Sequence, residues 1–190
     1  MRICLSLRSA LAITILLAGP ASAQQAGTTP ATRAQQTLPQ QDANFIKEAG
    51  MGGMTEVELG RLAEQNAGAD AVKQFGARMV RDHSAANTQL TTLASSKGVT
   101  PPQQLDPKHA QLRDKLSKMR GAEFDRAYMQ GMVEDHDNTA KLFQQQAQRG
   151  ADQDLKRFAE TTLPTIQEHD KLAHEIVKSL GGADTSHRSR

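Results

Sequence analysis

Glu56, His83, His136 and His169 are four potential metal ligands, each in the middle of a helical apolar stripe. Three imidazoles and one carboxylate converging on one point suit a single Zn(II) or Cu(II), and suit iron or manganese less well. The stripes step three or four residues at a time, which is one face of an α-helix. One reads Val72, Phe75, Met79, His83, Ala86, Leu90, Leu93; the next reads Phe124, Tyr128, Met132, His136, Thr139, Phe143, Ala147. The last reads Leu155, Phe158, Thr162, Ile166, His169, Ala173, Ile176, Leu180, and the first, weaker one reads Phe45, Ala49, Gly52, Glu56, Leu59, Ala63. Helices packed along these faces bring the four polar residues to a similar depth. A polar group buried there needs a partner, and either a metal ion or a mutual hydrogen-bond network supplies one.

The neighbours of these residues narrow the chemistry. A di-iron bundle takes Glu-x-x-His pairs from two helices. Val80, Val133 and Ile166 stand three residues before the histidines, so those carboxylates are absent and an oxygen-activating iron centre is not expected. Met79 and Met132 lie four residues before His83 and His136 on the same faces, where they are either additional soft ligands for copper or ordinary core filler. Asp82, Asp135 and Glu168 immediately precede a histidine, which turns each about 100° around its helix. There they either accept a hydrogen bond from an imidazole of a neighbouring helix or pair on the surface with Arg78, Arg81 or Lys171.

The elements that carry these residues are four long helices: 44–66, 70–97, 122–149 and 152–180. Gly68, Gly150 and the pair Gly181–Gly182 stand where helices stop. Between the second and third helices, Gly98-Val-Thr-Pro-Pro102 breaks the chain and Pro107 opens a short amphipathic piece. Two antiparallel hairpins joined by a long crossover form an all-α, ferritin-like four-helix bundle. An internal repeat supports the pairing: Gly68-Ala-Asp-Ala-Val-Lys-Gln-Phe75 resembles Gly150-Ala-Asp-Gln-Asp-Leu-Lys-Arg-Phe158, each at the turn inside a hairpin. Extended along this repeat with small insertions allowed, Glu56 corresponds to His136 and His83 to His169. Pro164 removes a backbone hydrogen bond just before His169, so it either kinks the fourth helix or joins two shorter ones.

Outside this domain, 44–180, the chain reads differently. Residues 1–23 have Arg2 and Arg8, an apolar run from Leu11 to Leu17 and the Ala21-Ser-Ala23 cleavage pattern, the features of a secretory signal peptide. Residues 24–43 read as a disordered Gln/Thr/Pro-rich tether and 181–190 as a disordered tail. The single cysteine, Cys4, leaves with the signal, so the mature chain carries no disulfide. Arg2 and Arg8 leave too, and the 23 basic residues become 21, balancing the 21 acidic ones. A neutral chain with no basic cluster interleaved with aromatics excludes a nucleic-acid-binding surface. The mature chain also has no membrane-spanning segment.

Five motifs, in order along the domain, are Thr55-Glu-Val-Glu-Leu-Gly60, Arg78-Met-Val-Arg-Asp-His83, Phe124-Asp-Arg-Ala-Tyr128, Met132-Val-Glu-Asp-His136 and Leu163-Pro-Thr-Ile-Gln-Glu-His169. Together they resemble an exported bacterial family catalogued as a domain of unknown function (number 4142), often labelled an outer-membrane protein. That resemblance implies a ferritin-like bundle and no settled activity. The residues themselves lead to an exported, periplasmic or secreted protein that binds copper or zinc, for metal buffering or envelope stress protection; without the Glu-x-x-His motifs of a di-iron centre they point to a binding role more than to an enzyme, and leave the latter open. The alternative is a metal-free structural or interaction module of the envelope with a buried His/Glu network.

Overall fold

The computed structural model describes residues 38–187, with side chains to residue 181. Five helices follow in order: α1 (Gln40–Asn66), α2 (Asp70–Ser96), α3 (Pro107–Leu116), α4 (Gly121–Arg149) and α5 (Gln153–His187). Among the described residues no strand forms, and one isolated bridge joins Ala67 to Gly121. The boundaries have local causes. Gly98 takes a left-handed φ of 70° just past the end of α2. Asp106 caps α3 through a hydrogen bond from the His109 backbone N–H, with Pro107 in the first turn.

The long helices make two hairpins, α1 with α2 and α4 with α5, and α1 also packs on α4 and α2 on α5. Each of these pairs is antiparallel, as the contacts between them show: Glu56 lies near His136 and Asp42 near Gln146, while Arg78 meets Glu168 and Lys97 meets Asp154. The direction therefore runs up, down, down, up, and the segment carrying α3 returns the chain along the bundle between two helices of like direction. In the first hairpin the backbones approach closely at Gly60 and Gly76. A Cβ on Gly60 would stand 2.7 Å from the Gly76 carbonyl oxygen, so the glycines are a packing requirement there.

Two aspartates tie the hairpins together at opposite ends. Asp125 of α4 accepts from the backbone N–H groups of Gly68 and Ala69 in the α1–α2 turn, at 3.0 and 2.9 Å. Asp42 of α1 accepts from those of Ala151 and Asp152 in the α4–α5 turn, at 3.2 and 3.0 Å, and from the Gln146 amide. These N–H groups open the following helices and have no intrahelical partner. The Gly-Ala-Asp repeat thus marks two turns that each present donors to an aspartate of the other hairpin.

The core divides into two apolar clusters. One holds Leu59, Phe75, Met79, Phe124, Tyr128 and Met132 at the end near the α1–α2 turn. The other holds Phe45, Leu90, Phe143, Leu155, Phe158 and Ile166 at the opposite end. Burying each such large side chain contributes roughly 1.5–3 kcal/mol. Between the clusters lie Glu56, His83, His136 and His169.

Two boundaries differ from the sequence reading. The segment 24–43 is not tether to its end: α1 starts at Gln40, and Asp42 is wholly buried. Its Gln-rich composition hid a carboxylate whose partners lie more than a hundred residues away. At the other terminus α5 continues past Gly181 to His187. A glycine ends a helix by turning left-handed, and Gly98 and Gly121 alone do so among the described residues; in a helix interior it costs only about 1 kcal/mol. Pro164 lies inside a single unbroken α5 and joins no shorter pieces. The expected signal segment 1–23, residues 24–37 of the tether and the last three tail residues lie outside the described residues. No described helix is long and apolar enough to cross a membrane.

Candidate metal centre

His83 on α2, His136 on α4 and His169 on α5 form one cluster, in which a ligand atom from each lies within 4.8 Å of the others. Their ring centres are 5.5, 5.5 and 5.8 Å apart. An ion 2.0–2.1 Å from three ring nitrogens lies about 3.2 Å from each ring centre. Rings arranged about it at 109–120° then have centres about 5.2–5.5 Å apart. The observed triangle meets that requirement within a few tenths of an ångström.

Hydrogen bonds fix which nitrogens are available. His136 Nδ1 lies 2.9 Å from the Met132 carbonyl oxygen, which can only accept, so Nδ1 carries the proton and Nε2 keeps a lone pair. His169 Nε2 donates to Asp82 Oδ2 at 2.9 Å, which leaves Nδ1 as the lone-pair nitrogen. His136 Nε2, His169 Nδ1 and His83 Nε2 are all buried and without a hydrogen-bond partner. Asp82 is itself anchored by Arg78 at 3.2 Å and Arg81 at 3.0 Å. Burial pushes its carboxyl up, yet the bonds from His169 and Arg78 hold it below the ordinary range, as an anion.

Burial likewise keeps the imidazoles neutral. The His83 pKa falls to about 3, first by desolvation and then by repulsion from His136 and His169. That of His169 falls to about 4 by desolvation, against the opposing pull of Asp82. Desolvation also lowers His136. At neutral pH the triangle is three lone-pair donors.

Glu56 is at the same depth but belongs to a second cluster, with Asp135 and His136. Its Oε1 lies 3.9 Å from His136 Nδ1, the nitrogen already committed to Met132, and its Oε2 has no partner. Burial, and then Asp135, raises its pKa well above the ordinary value and so favours the protonated carboxyl. Glu58, two residues further along α1, is half-buried and pairs with Arg113 at 3.2 Å instead. The remaining sequence candidates separate. Asp82 reaches an imidazole of a neighbouring helix, Asp135 stands beside Glu56 and accepts from Thr139, and Glu168 pairs with Arg78 on the surface. Met79 and Met132 are buried in the apolar cluster beside Phe75 and Tyr128. His109 serves the α3 cap, and His174 is exposed beside Asp170.

A cavity of about 30 Å³ adjoins the triangle, bordered by His83, His169, Glu56 and Asp135 and closed on its apolar side by Phe143 and Phe158. Sequence reasoning had no signal for it. It also missed the buried Tyr128 hydroxyl, which has no partner and lies on the Glu56 side of the core.

The family described as a domain of unknown function (DUF4142) matches residues 27–176. The chain belongs to the DUF4142 family. No curated protein matches this DUF4142 chain. Solved structures that share its fold include two DUF305 proteins. A DUF305 fragment from Deinococcus radiodurans aligns over 76% of this chain and 99% of its own, at 12% identity and a TM-score of 0.66. A DUF305 protein from Streptomyces coelicolor, described as secreted, aligns over 74% of this chain and 92% of its own, at 15% identity and a TM-score of 0.63. Helical bundles of this kind therefore extend beyond DUF4142.

Proposed function

We propose that this protein is an exported metal-binding bundle that holds one transition-metal ion through His83, His136 and His169. The observation that carries this reading is the convergence of three buried, neutral imidazoles with unpartnered nitrogens. A buried polar atom left unpaired costs about 1–3 kcal/mol, and one ion satisfies all three at once. Imidazole donors suit zinc and copper. Met79 and Met132, one turn before His83 and His136, are the feature that would favour copper over zinc. Glu56 and Asp135 stand beside the ion as carboxyl groups of the same layer, while Asp82 orients His169 and the Met132 carbonyl orients His136.

The up-down-down-up order with one long crossover is read here as the ferritin-like arrangement, without its di-iron ligands. Export rests on the sequence of residues 1–23 and agrees with the description of the Streptomyces neighbour as secreted. The role that follows is to buffer or carry metal in the envelope or outside the cell.

The test is elemental analysis of the mature protein, purified without chelator, beside a His83→Ala/His136→Ala double variant. Near-stoichiometric copper or zinc in the wild type, lost from a folded double variant, is the expected result. Protein that refuses added Cu(I), Cu(II) and Zn(II) would leave the histidines as a metal-free core layer.

A further inference from the structure

A four-coordinate ion bound by three imidazoles has one position left. Two observations concern what fills it. Glu56 Oε1 lies 3.9 Å from His136 Nδ1, the nitrogen bonded to the Met132 carbonyl, and so it does not meet the free Nε2 of that ring. The cavity, by contrast, is bordered directly by His83 and His169. Its volume of about 30 Å³ decides the size of any occupant. One water needs roughly 10–15 Å³ on the same measure, so there is room for about two water-sized groups and for no metabolite. Ala49, Ala86, Leu90, Phe143, Phe158 and Ile166 make most of its wall apolar. The polar part of the wall is the Asn87 amide, half-buried Thr139, Thr162 and Thr165, and the carboxyl groups of Glu56, Asp82 and Asp135.

We infer that this cavity is the binding site for a small exogenous ligand of the metal, two or three heavy atoms long and neutral or singly anionic. The apolar wall favours weakly hydrated species of that size over hydrated oxyanions, and water occupies the position otherwise. This inference rests on the metal reading above and adds to it an open coordination position with a defined size limit.

The experiment uses the full mature protein loaded with Co(II), a spectroscopic substitute for zinc, and azide as the probe. Metal content is measured first, so failure of the metal reading is seen separately: protein that takes up neither cobalt nor zinc overturns both. In loaded protein, azide is expected to shift the cobalt visible bands with saturation. Ala86→Val narrows the cavity and is expected to weaken azide by about tenfold or more while metal content is retained. Thr162→Val keeps the shape of the wall and is expected to leave azide affinity within about twofold. Ala49→Val replaces the first variant if circular dichroism shows Ala86→Val to be unfolded. A loaded site whose spectrum ignores azide, or azide binding equally well to the narrowed variant, would overturn the inference.

Discussion

Two aspartates buried at the ends of the bundle differ from the polar groups buried at its middle. At the ends, Asp42 and Asp125 are enclosed as completely as any leucine, yet each accepts at least two hydrogen bonds from the opposite hairpin. At the middle, Glu56, His83, His136 and His169 are also enclosed, yet each keeps one polar atom without a partner. Burial and residue type are similar, and satisfaction separates the two. A complete network holds a structure together, whereas the incomplete groups at the middle leave polar atoms free for a further partner.

Substitutions can break this contrast. The largest effect is expected from Asp42→Ala, which strands two backbone N–H groups and the Gln146 amide. A loss of about 3 kcal/mol should be read by urea unfolding. If that variant were as stable as the wild type, the ends would not be the structural ties described here.

Acid should expose the middle instead. Three neutral histidines take up protons on unfolding below their ordinary pKa of 6.5, while the folded protein resists down to about 4 for His169 and 3 for His83. The unfolded state then binds more protons, so stability is full above pH 6.5 and falls as the pH drops through that window. Glu56 opposes with one proton, because its raised pKa keeps the folded form protonated above 4.5. The net loss in metal-free protein is expected to reach several kcal/mol by pH 4.5, measured by unfolding across pH. Stability flat between pH 7 and 4.5 would mean the rings are not held neutral.

His136→Leu sharpens the comparison with an opposite sign. Removing an unsatisfied ring from metal-free protein is expected to leave stability unchanged or to raise it by about 1 kcal/mol, while metal binding is lost. The smallest effect belongs to Glu168→Ala on the surface. There the Arg78 pair is solvent-screened, and thermal unfolding should move by less than about 0.5 kcal/mol of stability.

Much of this arrangement was legible in the sequence. The stripes are periodic because four helices bury one face each, and the histidines fall at one depth because they occupy the midpoints of those stripes. Glu56 also reads inward from its stripe. The sequence does not show that Glu56 meets the committed nitrogen of His136, because a tautomer depends on a carbonyl one turn away and a ring rotation. Asp42 was illegible for a different reason. Its partners are Gln146, Ala151 and Asp152, and nothing local in a glutamine-rich stretch distinguishes it from Gln40 or Gln41. The Gly-Ala-Asp repeat recorded the matching half of that contact without naming what it served.

The two aspartate ties have a consequence for assembly. Every tie runs between hairpins, and the hairpins are linked covalently only through the crossover from Lys97 to Arg120. Two copies that traded second hairpins would keep both ties, both apolar clusters and a complete histidine layer in each half. Such an interlocked dimer would preserve the contacts among the four long helices and re-route only the crossover, and shortening the crossover would push the chain toward it.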